Sequence, residues 1–204
     1  IYHIKKNEQN NKPKYISFLF GSRENEINKL FIYFETIERY ISENNLKWKI
    51  LIPTLPHLIN IIKEKTKLWK TDTLISDETN KFDQYYNDVF VSVTCSGTAT
   101  LEIAKRNIPQ IIIYKLNYTS ELILRLFVKI RSACLINIIS KKMIIPEIIN
   151  SNLTKKNLIN SFEKLLNDES YRNNQIKNVN LYLPKIESNK SPYDLSVQRI
   201  MSII

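Results

Sequence analysis

Residues 15–31 read YISFLFGSRENEINKLF, and this stretch sets the fold class. The nearly continuous apolar run over 15–20 has the pattern of a strand buried on both faces. It breaks at Gly21-Ser22-Arg23. A helical period then takes over, with Ile27, Leu30, Phe31, Phe34, Ile37 and Ile41 on one face of a helix spanning 24–44.

The same unit repeats along the chain. Strands are predicted over 47–53 (KWKILIP), 73–76, 89–94 (VFVSVT) and 110–114 (QIIIY). Helices are predicted over 55–69, 98–106 and 119–131, with a helical or irregular stretch around 80–87. From residue 143 onward the pattern reads as helices broken by Pro146, Pro184 and Pro192. Short apolar strands alternating with helices predict an α/β fold: a Rossmann-like parallel sheet of about five strands, helices on both faces, and a helical C-terminal tail. Residues 1–14 read as a linker or lead-in, 15–150 as the sheet domain, and 151–204 as helices packing back on it or onto a partner.

Composition narrows the function. The chain has 204 residues, 43% hydrophobic and 25% charged, enough apolar surface for a core. The longest charge-free stretches, 50–62 and 89–101, fall short of the ~20 apolar residues that cross a bilayer. Two cysteines without CxxC spacing, Cys95 and Cys134, argue against a disulfide framework and against zinc. Two histidines, His3 and His57, leave no material for a multi-histidine metal site or a His-based triad. The net charge of +10 points to an anionic partner, although heavy use of Lys, Asn and Ile across the chain dilutes that signal. No nucleic-acid module signature or dense basic run occurs, so nucleic acid is not expected as a partner. The first residue is Ile, and the chain is expected to be part of something longer.

Glycine carries the sharpest signal. Ordinary usage would give about 14 glycines in this length; there are two. Gly21 follows the first strand and Gly97 follows VFVSVTCS, both at strand-to-helix junctions. Ligands bind there in open parallel sheets, where the following helix presents unpaired N–H groups to an anion. Ser22, Ser96, Thr98 and Thr100 add hydroxyls, and Arg23 adds a forked cation suited to phosphate. Glu102, more than a turn into its helix, reads either as an ordinary exposed helix carboxylate or as an acceptor for the ribose hydroxyls of a nucleotide. Tight turns and routine N-caps would explain either junction alone. No GxxxxGK[ST] or GxGxxG motif is present.

The order FLFGSRENEI, KWKILIP, VSVTCSGTATLEIA, PQIIIYK and LINIISKKMIIPEIIN resembles the C-terminal half of lipid-A-disaccharide synthases, from about Tyr15 to the end of the chain. The resemblance implies the C-terminal domain of a GT-B glycosyltransferase, inverting, with no metal or cofactor. It implies UDP-2,3-diacylglucosamine as donor and 2,3-diacylglucosamine 1-phosphate as acceptor. Carried over by position, Gly21, Ser22 and Arg23 match the first phosphate-facing loop, and Ser96, Gly97, Thr98 and Thr100 the second. Glu102 matches the ribose carboxylate, Tyr114-Lys115 a strand end at the cleft, and Asn137 the Asn near the donor. Ile136 stands where the family has Pro, and Asn150 where a Gln is common. Another GT-B UDP-sugar enzyme (an epimerase or the peptidoglycan transferase) and a non-catalytic remnant are the alternatives.

The family's N-terminal domain, with its acceptor site and catalytic base, is not in this sequence, so the catalytic residues are expected there. Residues 119–131 place Leu122, Ile123, Leu126, Phe127 and Ile130 beside Arg125, Lys129 and Arg131, a pattern fitting either a lipid interface or a helix on the sheet. The family's location implies peripheral association with the cytoplasmic face of the inner membrane. Without the N-terminal domain, Leu158, Phe162, Leu165, Leu166, Ile200, Ile203 and Ile204 are expected to lie partly uncovered and favour a homodimer.

Overall fold

In the structure, a computed structural model, residues 14–95, 97–116 and 132–186 are described. The expected alternation runs β1 (Tyr15–Leu19), α1 (Glu24–Glu43), β2 (Lys49–Pro53), α2 (Ile59–Thr66), β3 (Thr73–Ser76) and α3 (Thr79–Tyr86). It continues with β4 (Val89–Cys95), α4 (Thr98–Lys105), β5 (Gln110–Tyr114), α5 (Leu135–Ser140) and β6 (Glu147–Ile149). The helices α6 (Lys155–Asn167) and α7 (Glu169–Tyr182) follow, then a 3-10 turn at Leu183–Lys185.

Among the described residues the strands form one six-stranded sheet in the order β3-β2-β1-β4-β5-β6, every pairing parallel. The winding reverses between β1 and β4. That reversal leaves a crevice beyond the strand ends, bounded by the two loops that contain Gly21 and Gly97.

Both faces of the sheet are covered, which is why its strands read as apolar runs. On one face Ile16, Phe18, Ile50, Val91 and Ile111 pack against Ile27, Phe34 and Ile37 of α1. On the other, Leu19, Leu51 and Val89 meet Ile103, while Ile112 meets Ala104, Ile136 and Val179. Ser17 and Ser92, both fully buried, satisfy each other across β1 and β4 through an Oγ–Oγ hydrogen bond of 2.8 Å.

Two expectations change. The segment after residue 143 is not purely helical, because Glu147–Ile149 pairs with β5 as a sixth strand. Three residues are too few to show a strand period. The α6 side chains expected to lie uncovered are inside: Leu158, Phe162 and Leu165 are 0% exposed, in the same core as α1. Phe162 meets Tyr40 of α1 edge-on, with ring centroids 6.0 Å apart. A homodimer therefore has no open apolar face to use at these three positions. Ile200, Ile203 and Ile204 lie outside the described residues, as does the 119–131 segment.

Candidate functional site

The first junction is built by a turn that glycine alone fits. Gly21 has φ +97°, and a Cβ there would stand 2.5 Å from Glu26 Oε2 and 3.3 Å from Cys95 Sγ. The chain then enters α1 with Arg23 at the N-cap in extended conformation and no side-chain cap. Glu26 supplies the missing acceptor: the Ser22 N–H donates to its Oε2 at 3.2 Å and Arg23 Nη1 to its Oε1 at 3.2 Å. Arg23 nonetheless remains 77% exposed, with the rest of its guanidinium donors available to a ligand.

The second junction follows the neighbouring strand. Gly97, at φ +137° and ψ −162°, is the N-cap of α4, again without a side-chain cap. A Cβ there would meet nothing within 4 Å, so glycine serves the backbone conformation alone and the space above stays open. Cys95, buried at the end of β4, sets its Sγ against the Gly21 turn. The structure thus brings Gly21, Ser22, Arg23, Gly97 and Thr98 to the C-terminal ends of the two central strands, with two helix N-termini at the same crevice. Ser96 lies outside the described residues.

Thr100 and Asn137 are placed differently from the other expected site residues. Thr100 is 2% exposed and its Oγ1 donates to the Gly97 carbonyl at 2.7 Å, bracing the loop from inside. Asn137 is 3% exposed, and its Oδ1 accepts from the N–H groups of Ile144 and Ile145 at 2.9 and 3.0 Å. Its Nδ2 donates to the Ile145 carbonyl at 2.7 Å and to Glu147 Oε1 at 2.6 Å. Both side chains are occupied within the protein.

Glu102 is exposed and shares one stripe of α4 with Thr98, Leu101 and Lys105. Together with Leu183 and Ile186 these residues line a recess of about 280 Å³. Behind α4, burial pushes the Tyr86 phenol up to about 12, with Arg106 opposing and the Glu102 charge adding. At the end of β5, burial raises the Tyr114 phenol, the Glu26 carboxylate raises it further, and Arg23 pulls it back. Lys115 Nζ reaches back to Tyr33, 3.5 Å from the hydroxyl and 5.7 Å from the ring centroid. Asn150, with φ +52°, accepts the Leu116 N–H at 2.9 Å and fixes the chain as it leaves β5.

Two carboxylates have bracing roles that the sequence reading does not assign them. Glu26 lies three residues past the N-cap, the spacing at which an acidic side chain folds back on a helix start, and that spacing was the available signal. Glu147 accepts from Asn137, from the Ala133 N–H at 2.7 Å and from Ser132, and so ties the start of α5 to β6. Nothing in its local sequence marks that role. Among the described residues, no helix is long and apolar enough to cross a membrane, and no three His, Cys, Asp or Glu gather as a metal site would need.

A model of the lipid-A-disaccharide synthetase family matches residues 3–199. The lipid-A-disaccharide synthase of Rickettsia felis is 35% identical over 184 residues, covering 88% of this chain and 46% of the relative. That of Rhodospirillum centenum is 28% identical over 166 residues, covering 80% and 41%. The chain thus spans less than half the length of these curated relatives. Among solved structures, the C-terminal domain of a glycosyl transferase group 1 family protein from Francisella tularensis is similar at a TM-score of 0.57 and 11% identity, over 88% of each chain. MurG of Acinetobacter baumannii is similar at 0.53 and 12% identity, over 98% of this chain and 51% of its own. At such identities the likeness is one of fold, and it agrees with the Rossmann-like sheet expected from the sequence.

Proposed function

Because the chain belongs to the lipid-A-disaccharide synthetase family, we propose that it is the donor-holding part of a glycosyltransferase of lipid A biosynthesis. The donor is UDP-2,3-diacylglucosamine, the acceptor 2,3-diacylglucosamine 1-phosphate, and the products lipid A disaccharide 1-phosphate and UDP. The observation that carries the reading is the pair of positive-φ glycine junctions side by side where the winding reverses. Gly21, Ser22 and Arg23 take one side of the diphosphate, and Gly97 and Thr98 the other. As the glycosidic bond to UDP breaks, negative charge grows on the departing diphosphate. Helix N-termini and Arg23 are the groups that stabilise it there. Glu102 meets the ribose, the recess it shares with Thr98 giving the support for that role. Thr100 and Asn137 act on the donor indirectly, by holding the Gly97 loop and the 144–147 segment. Ser96, next to Gly97 in the sequence, belongs to the same proposed donor-facing set.

The base that takes the acceptor's proton, which must stand within hydrogen-bond reach of it, is assigned to an N-terminal domain, the chain spanning less than half the length of its relatives. Membrane contact at the cytoplasmic face of the inner membrane completes the proposal. Its support is an exposed apolar group, Leu135, Ile138, Ile139 and Met143, beside exposed Lys141 and Lys142.

Calorimetry with UDP, ADP and GDP tests the donor assignment. Binding selective for UDP is expected; equal binding of all three removes the uridine assignment.

A further inference from the structure

Glu26 ties the first junction together from beneath. One carboxylate oxygen takes the Ser22 N–H and the other takes Arg23, each at 3.2 Å. The Glu26 side chain is only 18% exposed, while its arginine partner stands 77% exposed. Oε2 lies so near the bare Gly21 backbone that a methyl group there would collide with it. The carboxylate is therefore enclosed by the loop, and the guanidinium projects from it.

A free arginine carries much rotamer entropy, part of which is lost whenever it grips a phosphate. A partner that already holds one N–H before the ligand arrives removes some of that loss and aims the other donors. The same carboxylate pins the Ser22 backbone, so the phosphate-facing loop is organised in advance. We propose that Glu26 is a positioning residue for the donor's diphosphate, acting through Arg23 without touching the donor; this rests on the donor reading above. The competing role is simple capping of α1, for which its position is also suited. The two roles separate on Arg23.

A double-mutant cycle reads the difference, with UDP affinity measured by calorimetry and melting temperature followed without ligand. Arg23→Ala is expected to weaken UDP about tenfold or more, the scale of a charge-assisted hydrogen bond. Glu26→Ala is expected to weaken it roughly threefold to fivefold, the scale of an exposed ion pair. In the Arg23→Ala background Glu26→Ala should cost clearly less, only what its hold on the Ser22 N–H contributes. Glu26→Gln, which keeps an oxygen for only one of the two donors and sets an amide N–H against the other, should lose affinity about as Glu26→Ala does. If Glu26→Ala melts too low to assay, Glu26→Asp, one methylene too short, takes its place in the cycle.

Additive losses mean that Glu26 serves the helix alone, which overturns the proposal and leaves the donor reading intact. Unchanged or tighter UDP binding by Glu26→Ala also overturns it, the latter by showing a competitor for the phosphate. An Arg23→Ala variant that binds UDP normally removes the donor reading at this loop, and the inference with it.

Discussion

Gln175, on α7, exchanges two hydrogen bonds with the backbone of Gln110, the first residue of β5. The Gln110 N–H donates to its Oε1 at 2.7 Å, and its Nε2 donates to the Gln110 carbonyl at 3.1 Å. The side chain amide thus does for β5 what a neighbouring strand's backbone would do. Gln110 uses its own amide to reach the Thr100 carbonyl at 2.9 Å and to accept from Thr94 at 3.1 Å. One polar chain, buried throughout, therefore fastens α7 to the sheet and to the helix behind the second glycine loop.

Gln175→Ala leaves two buried backbone groups without partners, at ~1–3 kcal/mol each. Urea unfolding should show a loss of about 2–4 kcal/mol. A loss under half a kilocalorie would mean that water replaces the amide.

The two glycines should respond differently to alanine. Gly97→Ala meets open space and suffers only a strained backbone, costing roughly 1–3 kcal/mol. Gly21→Ala adds a collision with Glu26 and should destabilise more, besides displacing the carboxylate from Ser22 and Arg23. Denaturant midpoints and UDP titrations on both variants check the order.

UDP should raise the melting temperature, since a ligand held only by the folded state adds about 2.7 kcal/mol at a hundredfold excess over Kd. ADP at the same concentration should do less, and EDTA should leave the UDP effect unchanged. An equal shift with ADP would confine the site to phosphate recognition.

Tyr86 makes stability pH-dependent in alkali. Its folded-state pKa, about 12 against an ordinary 10, means that the folded form keeps the proton longer than the unfolded chain. The resulting stabilisation is complete below pH 10 and disappears as the pH rises from 10 to 12, by up to ~2–3 kcal/mol. Tyr86→Phe should lose less stability than the parent across that window, in denaturation curves taken at each pH. Parallel losses would assign the alkaline transition to other groups.

The strands and both junctions were legible because they depend on local signals: unbroken apolar runs, and glycine in a chain that scarcely uses it. Side-chain direction was less legible. Thr100 reads as one more hydroxyl near a phosphate, yet it shares the inward stripe of α4 with Ile103 and Ala104, and burial decides its partner. Asn137 was expected at the donor, and it closes a loop of which its own sequence gives no sign. The α6 face was expected to await a partner because the resemblance implies a chain end that returns to the N-terminal domain. Packing against α1 supplied the cover.

The sheet's two borders are β3, four residues, and β6, three. An exposed strand edge is a template on which another chain can add a strand, and its hold grows with the number of ladder bonds it offers. Borders this brief offer an incoming strand only a few. An apolar parallel sheet is ordinarily a hazard in crowded solution, and here its longest strand, β4, sits in the middle with neighbours on both sides. The winding order that opens a crevice at the centre also keeps the longest strand ladder away from the rim.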